Sequence, residues 1–172
     1  MRARNYRTLK GQPYTRKKFV RGFPPPKITK FTMGDTKSRF EYEVRLVAVK
    51  KVQIRHNALE AARIAANRIL GKELSENYCF RVYPYPHNIL RENKMIFGAH
   101  ADRLQDGMKR SFGKPIGTAA RVKPNQTLMT ANVNADGIET AKKALKRGGS
   151  KLPTPCRIVI EKAQTVEEGK ES

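Results

Sequence analysis

The first thirty residues hold ten Lys or Arg and not one Asp or Glu. A segment so charged and so poor in aliphatic side chains cannot bury enough apolar surface to offset the entropy of ordering it. It is predicted to stay extended until a polyanion supplies counter-charge. Tyr6, Tyr14, Phe19 and Phe23 interleave with Arg7, Arg16, Lys17, Lys18 and Arg21. Flat rings beside cations suit single-stranded or looped nucleic acid, where exposed bases stack and phosphates crowd. Phe23-Pro24-Pro25-Pro26 imposes polyproline or extended geometry and ends the arm. The arm is therefore placed at residues 1–30, and the core is expected to begin near Phe31.

The net charge of the chain, +21 over 172 residues, repels itself unless a large anionic surface lies close. Besides the arm, residues 94–123 concentrate seven cations against two carboxylates, whereas residues 164–172 carry three Glu and one Lys and are expected to be disordered. Without arm and tail about 130 residues remain, enough for one modest core, so a single domain is placed at residues 31–163. No run of ~18 apolar residues occurs, which excludes a membrane partner and leads to the expectation of a cytoplasmic protein. Cys79 and Cys156 lie far apart without a CxxC motif, and His56, His87 and His100 show no ligand spacing to them. Neither a disulfide nor a metal site is expected, and the cysteines and His56 and His87 are read as packing residues.

Residue pattern predicts an α+β domain. Phe40 to Ile54 favours strands, with a change of face near Leu46 that calls for a bulge or bend. Asn57 as N-cap, Glu60 as its reciprocal partner and Gly71 as stop frame a helix over 58–70, with stripe Leu59, Ala62, Ala66 and Ile69 and with Arg63, Asn67 and Arg68 outward. Strands follow at Cys79 to Tyr83, Ile89 to Ile96, Thr118 to Val122, Leu128 to Val133 and Arg157 to Ile160. A second helix is expected over 137–147, capped by Asp136 and stopped by Gly148-Gly149, with stripe Ile138, Ala141, Ala144 and Leu145. This order favours a mixed or antiparallel sheet with two helices on one face.

Between the strands, residues 98–116 read as a long glycine-rich loop with a basic tip. Gly107 and Gly113-Lys114 do not form a phosphate-binding nucleotide loop, because the spacing is one residue too long and Pro115 stands where a hydroxyl must hold magnesium. No dinucleotide fingerprint, nucleophile elbow or acid–nucleophile pairing is visible, so no catalytic residue, cofactor or small-molecule substrate is assigned. A basic transcription factor would need a helix-turn-helix, zinc spacing or zipper heptads, none of which is present; a free RNA- or DNA-binding regulator stands as the alternative to a structural RNA partner.

Several runs carry a resemblance: Arg4-Asn5-Tyr6-Arg7, Lys10-Gly11-Gln12-Pro13-Tyr14, Arg21-Gly22-Phe23-Pro24-Pro25-Pro26-Lys27-Ile28, Ala58-Leu59-Glu60-Ala61-Ala62-Arg63, Ala101-Asp102-Arg103-Leu104-Gln105-Asp106-Gly107-Met108 and Phe112-Gly113-Lys114-Pro115-Ile116-Gly117-Thr118. In this order and spacing they are similar to a large-subunit ribosomal protein family called L-ten-e in archaea, L-ten in eukaryotes and L-sixteen in bacteria. The similarity runs from Met1 to about Ala163, and the compact C-terminus resembles the archaeal type. The resemblance implies a non-catalytic protein with a β-hammerhead α+β fold. It would bind large-subunit rRNA near the 5S rRNA and the central protuberance, among neighbouring ribosomal proteins, join the subunit late, and point an internal loop along the A-site tRNA corridor towards the peptidyl transferase centre.

The same resemblance assigns residues. Arg2, Arg4, Arg7, Lys10, Arg16, Lys17, Lys18, Arg21 and Lys27 would bind rRNA through the arm, and Lys94, Arg103, Lys114 and Arg121 would secure the loop base, with Asp102 orienting Arg103. Lys109 and Arg110 would form the tip nearest tRNA.

Overall fold

The computed structural model describes residues 1–98 and 107–163. The expected acidic tail, part of the internal loop, and with it Asp102 and Arg103, lie outside the described residues. Among the described residues, eight strands and two long helices follow one another: β1 (Thr32–Gly34), β2 (Tyr42–Ala48), β3 (Val52–Arg55), α1 (His56–Glu73), β4 (Cys79–Val82), β5 (Asn88–Glu92), β6 (Lys114–Val122), β7 (Thr127–Val133), α2 (Ile138–Gly149) and β8 (Cys156–Lys162). The α+β class holds, but the strands divide between two sheets. Five strands in the order β1-β4-β7-β2-β8 form one, and β3-β6-β5 form the other. Every pairing is antiparallel.

The bend expected near Leu46 is a register shift between Leu46 and Val47 against β7. β2 stays paired with β8 to Ala48, and the chain leaves the first sheet in the bend at residues 49–50, before β3 starts the second. The short β1 carries no alternating pattern of its own and is added to the edge of β4 by backbone pairing, Met33 opposite Phe80. The strand expected to run to Ile96 ends at Glu92, because its only neighbour β6 starts opposite it at Lys114. Lys114, Pro115 and Ile116, expected in the loop, are strand residues for the same reason.

α1 starts before Asn57. Arg55 closes β3 in extended geometry and serves as N-cap, so strand passes into helix with no loop and no side-chain cap. Gly71 does not stop it; the helix runs to Glu73, and the positive φ that ends it belongs to Ser75. Leu59, Ala62, Ala66 and Leu70 are buried, while Ile69 is only half-buried. Asp136 likewise makes no capping bond to α2, which follows a 3₁₀ turn at Ala135–Gly137. Gly148 and Gly149 lie inside α2 rather than after it. A Cβ at Gly148 would stand 3.3 Å from both the Ala62 carbonyl oxygen and the Ala66 Cβ. The residue type that reads as a stop signal is there to let two helices approach closely.

One apolar core joins these layers, with Val44, Leu46, Leu59, Phe80, Leu128, Met129 and Leu145 almost wholly buried. Ile28, at 1 % exposure, belongs to it, and Val20 is buried as well, so the core begins before Phe31. Aliphatic residues inside the basic segment have the domain itself to bury against, which their local surroundings do not reveal.

Replacing Gly148 by Val should destabilise the fold by about 1–3 kcal/mol through overpacking of α1 against α2. Gly149→Ala, whose added carbon would meet nothing nearer than 3.7 Å, should stay within about 0.5 kcal/mol of the parent. Urea denaturation of the two variants checks both values.

Candidate nucleic-acid interface

Three side chains on one face of the second sheet hold the arm. Gln53 of β3 lies opposite Arg121 of β6, and Asn88 of β5 lies opposite Ala119 of the same strand, so all four share a face. Ala119 is small enough for Asn88 to reach across it, and its Nδ2 donates to Gln53 Oε1 at 2.6 Å. The Gln53 Nε2 donates to the Tyr6 carbonyl oxygen at 3.0 Å, and the Tyr14 N–H donates to Asn88 Oδ1 at 2.7 Å. The Arg121 guanidinium donates to the Gly11 carbonyl oxygen at 3.0 Å. Backbone bonds finish the attachment at both outer strands, Gln53 N–H to Arg7 O at 2.9 Å and Ile89 N–H to Tyr14 O at 2.8 Å. The arm thus crosses the sheet from β3 to β5 and caps its open edges.

The tether is made of amides and rings, and the side-chain charges are left over. Arg2, Arg4, Arg7, Lys10, Arg16, Lys17, Lys18, Arg21 and Lys27 are all exposed. Among the described residues no carboxylate pairs with any of them; the single ion pair of the arm joins the Met1 amino group to Glu92 at 3.2 Å. Of the expected stacking rings, only Phe19 stands open, at 72 % exposure. Tyr6 lies under Arg55, Phe23 under Lys17 and Tyr14 near Arg91, each cation 5.4–5.7 Å from the ring centroid. Tyr6 and Tyr14 fix the arm to cations of the second sheet, whereas Phe23 takes a cation of the arm itself.

The loop base meets the arm on the same sheet. Arg91 stacks 3.7 Å above the Phe112 ring and donates to the carbonyl oxygens of Phe112 and Gly113. Phe112 packs edge-on against Tyr14, centroids 6.3 Å apart. Gly113 takes φ +71°, and a Cβ there would fall 2.5–2.7 Å from the Glu92 and Asn93 backbone, so only glycine lets the loop return beside β5. Lys94, Lys109 and Lys114 are exposed around this junction, and Lys109 stands in a 3₁₀ turn at Gly107–Arg110. Lys114 is the cross-strand partner of Glu92, which also binds Met1. Arg121 is half-buried and engaged with Gly11, making it a brace as much as a free cation.

Sequence reasoning missed Arg91, Arg55, Gln53 and Asn88, whose partners all lie far along the chain. It also missed the exposed apolar group by the loop, Phe97 at 90 %, Met108 at 77 % and Phe112 at 72 %. The run Met95-Ile96-Phe97, apolar within an otherwise basic segment, was the available signal.

The two basic segments, separate in sequence, therefore form one surface. The family model described as "Ribosomal protein L16p/L10e" matches residues 9–159. The chain belongs to this family. The large ribosomal subunit protein uL16 of Hyperthermus butylicus is 51% identical over 158 residues, covering 91% of this chain and 88% of that protein. The uL16 of Staphylothermus marinus is 52% identical over 159 residues, 92% and 91% of the two chains. That of Picrophilus torridus is 48% identical over 167 residues, 96% and 95%. These L16p/L10e relatives are of the archaeal type, and they are structural ribosomal proteins, not enzymes. No helix among the described residues is long and apolar enough to cross a membrane.

Within this L16p/L10e interface His56 is buried at the start of α1, and its Nδ1 accepts the Lys27 N–H at 2.8 Å. That bond requires the neutral ring with its proton on Nε2. Burial first, then the neighbouring charges of Arg55 and Lys27, hold its pKa below the usual 6.5. The folded chain therefore binds a proton on His56 less readily than the unfolded chain, and stability falls as pH drops below about 6.5. The melting temperature of the parent, measured against His56→Gln from pH 7.5 to 5.5, should fall more steeply with acidification than that of the variant.

Proposed function

We propose that this chain binds large-subunit rRNA near the 5S rRNA through the arm and the loop base, and directs the loop tip at Lys109 and Arg110 into the A-site tRNA corridor. The observation that carries the reading is the convergence of arm and loop on the second sheet, through Met1 with Glu92, Arg121 with Gly11, and Tyr14 with Phe112. Cations held on a shared scaffold without carboxylate partners meet closely spaced phosphates with little further ordering, and each contact releases condensed counterions. RNA grooves that exclude side chains are reached by a projecting loop more readily than by a sheet. The name large ribosomal subunit protein, carried by relatives about half identical over nearly the whole chain, supports a place in that subunit, in the cytoplasm, among other ribosomal proteins. Late joining of the subunit, completing its tRNA corridor, belongs to the same proposal.

Arm and tip divide the work between anchoring and tRNA contact. Arg4→Ala with Arg7→Ala should weaken binding to large-subunit rRNA and flatten its salt dependence by roughly one unit of slope for each phosphate no longer neutralised. Lys109→Ala with Arg110→Ala should change stability by no more than about 0.5 kcal/mol per site and leave subunit incorporation intact. That pair should instead weaken A-site tRNA binding and peptide-bond formation on reconstituted subunits. Normal tRNA accommodation by the tip variant, with impaired accommodation by the arm variant, would make the tip a spacer; a salt-independent affinity would remove the electrostatic basis of the proposal.

A further inference from the structure

The two helices carry a second basic surface, built from none of the residues assigned above. α1 and α2 lie side by side, held close by Gly148 against Ala62 and Ala66. Between their outer flanks runs an open groove of about 1040 Å3. Arg68 and Lys72 form its rail on α1, and Lys143, Lys146 and Arg147 form the rail on α2, with Lys151 at its end. Each set repeats at three or four residues, so each projects from one side of its helix. Like charges at that spacing repel one another along a helix; the helix dipole offsets this for Lys72, Lys146 and Arg147 in the last turns, and an anion between the rails would offset it for all of them.

The carboxylates of both helices are engaged otherwise. Glu60 binds Arg63, Glu139 binds Lys142, and Glu73, the one acid in the groove, accepts from Thr140 Oγ1 at 2.7 Å. Among the described residues none of the six cations has an ion-pair partner. The floor is apolar and shallow, with Ile64 at 51 % exposure beside alanines, and offers no deep anchor point for a protein helix.

The groove also runs on from the arm. A neighbouring hollow of about 420 Å3, lined by Tyr6, Arg7, Arg55 and Asn57, shares Ala61 and Lys151 with it. Cations therefore follow one another from Arg7 through Arg55 and Lys151 into the helix rails. An extended, evenly charged polymer matches such a track better than a compact anion.

We propose that the α1–α2 groove is a second RNA-docking site, which takes the sugar–phosphate backbone of ribosomal RNA continuing from the arm. The inference rests on the rRNA reading of the arm and adds to it a partner surface on the helical side. Its consequence is that the protein grips RNA across two of its faces.

The test uses the full chain and isolated, protein-free large-subunit rRNA. Lys143→Ala, Lys146→Ala and Arg147→Ala together should make the slope of log affinity against log salt shallower by about three, one per phosphate contact. Their exposure means the melting temperature should not move. The charge-keeping set Lys143→Arg, Lys146→Arg and Arg147→Lys should restore the parental slope. An unchanged slope in the triple Ala variant, with the Arg4→Ala, Arg7→Ala arm variant flattened, would overturn the groove and leave the arm reading standing. Parental slopes in both variants would overturn the rRNA reading and the groove with it. Retained rRNA slope together with weakened attachment of a neighbouring protein in the assembled subunit would assign the groove to an acidic protein and overturn the RNA proposal.

Discussion

The hydrogen bond between the Asn88 and Gln53 side chains is the fastening on which the proposed nucleic-acid surface depends. β3 and β5 are the outer strands of the second sheet, separated by β6, and this bond joins them across the small Ala119. Once paired, the two amides have one donor and one acceptor to offer the arm, and the Tyr6 carbonyl and Tyr14 N–H take them. Gln53 is 7 % exposed, so leaving its polar atoms without partners would cost about 1–3 kcal/mol. The demand of buried amides for partners thus draws a highly charged segment onto a sheet that its charge alone would not bring there.

Fixing the arm through neutral groups has an electrostatic consequence. Had carboxylates held it, each would have cancelled a cation and weakened the field available to RNA. Apart from the Met1 ammonium, which pairs with Glu92, amide, ring and carbonyl contacts order the arm's backbone and leave its arginine and lysine side chains exposed. Arg91 follows the same rule at the loop base. It is stacked on Phe112 and bonded to two backbone carbonyls, so it shapes the loop without needing an acid. The loop base, the arm and β5 consequently meet in one junction, and the cations near them are presented together.

On the other side of the molecule, small residues do the positioning. Ala62, Ala66 and Gly148 bring α1 and α2 into close contact; α2 also packs on β2, β7 and β8 of the five-stranded sheet, and α1 against β3 and β6. On the shared flank an apolar floor at Ile64 remains outward between two rows of cations. Close helix packing therefore sets the width of the groove as well as the stability of the core.

The sequence by itself determined the class and the electrical character of this protein. A run of ten cations without an acid, two short amphipathic stretches and a set of β-branched runs are local properties, and each survives into the structure as the exposed basic arm, α1 and α2, and strands β2 to β8. The family signature was legible for the same reason, since it consists of contiguous residues. Tertiary structure alone decided the rest. Gly71 and Gly148 look alike in sequence, yet one is an ordinary helix residue and the other a contact between helices, because only the position of Ala62 and Ala66 distinguishes them. Asn57 and Asp136 have the chemistry of caps, but Arg55 was already extended and a 3₁₀ turn already led into α2, so backbone geometry from the preceding element prevailed. The pairings that divide the strands into two sheets join residues 22 to 120 positions apart, and the arm's attachment through Gln53 and Asn88 and the meeting of Met1 with Glu92 join residues 35 to 91 positions apart. Pairing over such separations is chosen by complementary edges and buried polar groups in three dimensions, and no local pattern encodes it.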